Sequence, residues 1–66
     1  MEYTNSQIRI LIEELIHSER DRLILYRRLV DGVRFDALAE EFSLSVRQTK
    51  KIVYDSEKIL FKHIPD

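Results

Sequence analysis

The stretch Asp31–Leu60, DGVRFDALAEEFSLSVRQTKKIVYDSEKIL, decides the reading of this chain. Phe35, Leu38, Ala39 and Phe42 recur there at helical spacing, which predicts a short amphipathic helix from about Phe35 to Phe42. Ser43 and Leu44 then make a turn, and Ser45 suits the N-cap of a second helix, because its hydroxyl can accept from otherwise orphaned first-turn amides. That helix is predicted from Val46 to about His63, ending before Pro65. Thr49, Ile52 or Val53, Ser56, Ile59 or Leu60, and Ile64 would face inward. Arg47, Gln48, Lys50, Lys51, Tyr54, Lys58 and Lys62 would face outward. A tight turn leading into a helix with a cationic outer side is how many proteins set one helix into the major groove of DNA.

Upstream, Gly32 reads as the residue that ends a preceding helix with positive φ. That helix should cover Glu19 to Val30 and bury Leu23, Leu25 or Tyr26, Leu29 and Val30. Ser18 is its expected N-cap, with Glu19 and Asp21 in the first turn where the helix dipole favours anions. A first helix is predicted from Asn5 or Ser6 to about His17, with Thr4 and Gln7 spaced as a capping box. Ile8, Leu11, Ile12 and Leu15 form its apolar stripe, and Ile10 and Ile16 widen it. The expected fold is therefore an all-α, four-helix single domain over residues 1–66 with a C-terminal helix-turn-helix.

Composition narrows the function. Sixty-six residues make one small domain, and the lack of cysteine removes disulfides and thiolate metal sites. With no apolar span of membrane length and no signal-peptide layout at the start, a cytoplasmic protein with no membrane partner is expected. The formal net charge of -1 hides an uneven distribution. Residues 45–54 hold Arg47, Lys50 and Lys51 without an acid, whereas residues 13–21 hold Glu13, Glu14, Glu19 and Asp21 against Arg20. A basic side and an acidic side should result.

Double-stranded DNA is the partner this pattern predicts. Ser45 would direct the amide end of the last helix toward a phosphate. Arg47 and Gln48 lie in the first turn, where Arg suits bidentate contact with guanine and Gln with adenine. Lys50 and Lys51 can follow a base edge or a phosphate, Arg34 is a candidate backbone clamp, and Tyr54 can meet sugar or cover the core. Glu14 and His17 have the Glu-x-x-His spacing of di-metal bundles, but such sites need a second copy and further carboxylates. No metal or cofactor is expected. No acid, base and oxyanion donors are assembled, so catalysis is not expected.

The segment from Glu19 to Leu60 resembles region 4 of bacterial sigma factors, the helix-turn-helix that reads the upstream promoter element. Glu19-Arg20-Asp21-Arg22 is similar to the charged lead-in of that region. Gly32 followed by Phe35, Leu38, Ala39, Glu40 and Glu41 resembles its signature, and Ser45, Val46 and Lys50 resemble the entry to its recognition helix. Thr49 departs from the Val usual before that lysine. The chain holds no sequence for the other sigma regions, so the resemblance implies a free-standing region 4-like module, an orphan bacterial or phage/mobile-element transcription regulator.

The resemblance also implies an alternative: a protein-interaction module docking on RNA polymerase or another regulator. Glu19, Asp21 and the aliphatic first helix motivate it. Six of the nine residues from Ile8 to Ile16 are aliphatic, more than one face of a small core needs. A homodimer through this helix is expected, and it would double the base contacts of one small head.

Overall fold

The computed structural model describes residues 4–62 and is helical throughout, with no strand among them. Four α-helices follow in order: α1 (Asn5–Leu15), α2 (Glu19–Leu25, continued by a π-helical turn over Tyr26–Val30), α3 (Phe35–Glu41) and α4 (Val46–Lys62). The predicted end of the last helix at His63 to Pro65, and the inward role of Ile64, lie outside the described residues.

Local chemistry sets most boundaries where the sequence places them. Thr4 and Gln7 form the expected capping box, the Gln7 amide donating to Thr4 Oγ1 at 3.2 Å and the Thr4 amide to Gln7 Oε1 at 2.8 Å. Ser18 caps α2 by accepting from the Asp21 amide at 3.3 Å. Gly32 takes φ +71°, the left-handed conformation expected of it.

Two helix ends differ from expectation. α1 stops at Leu15, because Ile16 adopts an extended backbone and is 4% exposed in the core. His17 therefore lies past the helix end, and the cation at that end is Arg22, whose guanidinium donates to the carbonyls of Glu13 and Ile16. α2 keeps α-helical pairing only to Leu25. Beyond it the Asp31 amide reaches Tyr26 O at 3.1 Å and the Val33 amide reaches Arg27 O at 2.9 Å, a wider closure than an α-helix makes. Arg27 braces this turn against α3 with a forked bond to Glu41 (3.0 and 3.0 Å) and a 3.1 Å bond to Asp31. These carboxylates hold its guanidinium pKa above the usual arginine value, Glu41 first.

The core is Ile12, Ile16, Ile24, Leu25, Leu38, Val53 and Leu60, drawn from all four helices. Ile24 rather than Leu23 is buried on α2, and Leu23 is 48% exposed. On α4 the inward set is Thr49, Val53, Ser56 and Leu60, so each paired alternative resolves to the second residue. α4 packs against α1, α2 and α3 in a body 33 × 19 × 18 Å across. Among the described residues, no helix is long and apolar enough to cross a membrane.

Candidate nucleic-acid interface

The entry to α4 is built by the four residues Phe42–Ser45 that separate it from α3. Ser43 sits at φ 56°, and its amide donates to Glu40 O at 3.2 Å while the Leu44 amide donates to Ala39 O at 2.8 Å. This pair of bonds is a Schellman closure, with Ser43 in the position that usually holds glycine. Leu44 turns back to pack on the core, which fixes the direction in which the chain leaves α3.

Ser45 is the expected cap, and it is half of a reciprocal box. The Gln48 amide donates to Ser45 Oγ at 3.0 Å, and the Ser45 amide donates to Gln48 Oε1 at 3.0 Å. The Ser45 hydroxyl lies 3.2 Å from that same oxygen. One turn in, buried Thr49 donates its hydroxyl to Ser45 O at 2.9 Å, so its polar atom is satisfied where a valine would have none. Gln48, expected as a base-reading side chain, is thus also a structural part of the helix start.

The outer side of α4 carries Arg47, Lys50, Lys51, Tyr54 and Lys58, spaced i, i+3, i+4, i+7 and i+11. Their helical phase is opposite to that of buried Thr49, Val53, Ser56 and Leu60. Arg47 is exposed and has no ion-pair partner among the described residues. Lys51 pairs with Asp55 at 3.2 Å, and Arg34 with Asp36 at 3.5 Å. Both pairs are exposed, and such pairs contribute only about 0–1 kcal/mol, so a phosphate can displace either carboxylate.

Phe35, at the start of α3, gathers cations from two other elements. The Arg28 guanidinium stacks 4.1 Å from its ring centroid, and Lys50 Nζ approaches from 5.7 Å. Tyr54 meets the ring edge-on, with centroids 5.7 Å apart and 67° between planes. Tyr54 thus combines packing with a half-exposed surface. Arg28 also donates to Val33 O at 3.0 Å, which fixes it beside the loop that holds Arg34. Sequence reasoning did not single out Arg28, because it lies within the π turn, where the helical period that would have placed it is broken. Val46, the first residue of α4 and 40% exposed, was read as part of the helix entry without a contact of its own. Its place directly after the cap was the available signal, since an apolar first residue there can meet a thymine methyl group.

The acidic side is also organised. Glu13 Oε1 accepts from the Tyr26 hydroxyl at 3.2 Å, and burial and this carboxylate together raise the phenol pKa. Arg20 and Asp21 pair with each other at 3.1 Å. Among the described residues, no three His, Cys, Asp or Glu side chains gather into a metal-holding group. The chain matches no protein-family model, no curated protein and no solved structure.

Proposed function

We propose that this protein is a sequence-specific double-stranded DNA-binding transcription regulator that inserts α4, beginning at Val46, into the major groove. One observation carries the reading: the exposed side of α4 presents Arg47, Lys50 and Lys51 directly after a short capped turn, while its opposite side is anchored in the core. Arg47 contributes a base contact, Lys50 and Lys51 contribute phosphate or base contacts, and Arg34 and Arg28 flank them as backbone clamps. The motif residues that resemble sigma region 4 support the same reading. The test is fluorescence anisotropy against a pool of duplex fragments titrated through salt, with sequencing of the bound fraction. Binding should weaken with a log–log slope of roughly −0.9 per neutralised phosphate. The double variant Lys50→Ala/Lys51→Ala should flatten that slope by about 1.8 on the same rule. An unchanged slope would place the interface elsewhere.

A second reading, contact with another protein, is favoured by an apolar groove of about 120 Å³ lined by Ile8, Leu11, Leu29, Leu60 and Phe61. Phe61 is 57% exposed and carries the apolar surface out of the groove. The occupant consistent with the proposed regulator is a second copy of this chain. Leu60 lies 13 residues beyond Arg47, roughly 20 Å along the helix, so a dimer formed there leaves the cationic end free. RNA polymerase is the competing occupant, and a polymerase pull-down distinguishes it.

A further inference from the structure

The capping box at the start of α4 constrains what Gln48 can recognise. A backbone N–H only donates, so the Gln48 atom 3.0 Å from the Ser45 amide is the oxygen, which assigns the orientation of the side-chain amide. That oxygen also lies 3.2 Å from the Ser45 hydroxyl, whose proton can fill its second lone pair. Both acceptor sites are then occupied within the helix start. The exposed side chain keeps its Nε2 group, with two N–H donors and no partner among the described residues.

Bidentate recognition of adenine requires a glutamine to accept from N6 and donate to N7 at once. A glutamine whose oxygen is occupied cannot do this. We propose that Gln48 reads its base pair as a hydrogen-bond donor only, selecting guanine, which offers two acceptors to its two N–H groups, over adenine, which offers one. Guanine offers O6 and N7 side by side, adenine only N7 beside an N6 donor, thymine only O4, and cytosine only a donor. The inference rests on the major-groove reading of α4 and specifies the chemistry of one contact within it. It also replaces the adenine preference that residue type alone suggests for Gln48.

The test combines selection from a randomised duplex pool with amide exchange in the free protein, using wild type, Gln48→Ala and Gln48→Glu. In the wild-type motif, one base pair should be G·C. Gln48→Ala should level that position alone. Gln48→Glu retains an acceptor for the Ser45 amide but has no donors, so it should lose the G·C preference by at least about fivefold, the lower bound for a good base contact. In the free protein the Ser45 amide should exchange about fivefold faster in Gln48→Ala, the factor for loss of one ordinary hydrogen bond, and stay protected in Gln48→Glu. An A·T pair at the responding position, no position that responds to Gln48→Ala, or Ser45 exchange indifferent to both variants would each overturn the proposal. A wild-type pool without any enriched motif is a different failure: it rejects the groove reading, and this contact with it.

Discussion

Ser43 holds φ at 56° without the freedom of glycine, at the point where the chain must reverse between α3 and α4. The left-handed conformation costs an ordinary L-residue about 1–2 kcal/mol, and glycine's greater freedom when unfolded returns part of that difference. Ser43→Gly should therefore stabilise the domain by roughly 0.5–1 kcal/mol in denaturant melts, whereas Ser43→Val should destabilise it. A loss of stability in the glycine variant would mean that the serine side chain contributes something beyond the turn. At this scale the sequence was a good guide wherever a side chain bonds its own neighbourhood: Thr4, Ser18, Gly32 and Ser45 all take the positions their chemistry suggests. Gln48 shows the limit. Its spacing from Ser45 equals that of Gln7 from Thr4, so the second capping box was as legible as the first. The interest of a polar side chain near a base-reading position hid it.

At the scale of elements, α2 shows where periodicity misleads. Stepping back from Val30 by α-helical intervals reaches Tyr26 and then Leu23, but the π turn adds a residue and brings Ile24 and Leu25 inward. No local residue announces that insertion. Arg27 and Arg28, which brace it, do so through Glu41, Val33 and Phe35, contacts that exist only once α3 has docked. Truncation separates the two registers. Ile24→Ala should cost about 2–5 kcal/mol, as expected for a fully buried aliphatic, and Leu23→Ala should stay within about 0.5 kcal/mol. Equal losses in urea unfolding would contradict the burial described. α4 was more legible because its alternatives, Ile52 or Val53 and Ile59 or Leu60, differed only by phase, and packing against three helices chose the phase.

At the scale of the whole molecule, Arg28 and Lys50 gather on Phe35 beside the start of α4, whereas Glu13 and Asp21 on α1 and α2 lie among Arg20 and Arg22. The apolar groove that α1 forms with the far end of α4 belongs to neither. Sedimentation velocity at high micromolar concentration should show a dimer, and Phe61→Glu, which puts a charge into this groove, should return it to monomer. A wild-type monomer under those conditions would leave the aliphatic excess of α1 without a partner of its own kind. The excess itself was visible in the sequence. Its location was not, because Leu29 and Leu60 join the groove only through the tertiary arrangement.

The cluster on Phe35 has a thermodynamic consequence. Arg28 and Lys50 rest on one aromatic ring, and Arg28 is further tied to the Val33 carbonyl. Ordering a long charged side chain at an interface costs about 0.5–1.5 kcal/mol of rotamer entropy, and here part of that cost falls on folding instead of on association. An anion arriving at this face meets cations that are already arranged, so fewer rotations are frozen when it binds and the complex should be reached with a smaller entropic penalty than flexible surface lysines would impose.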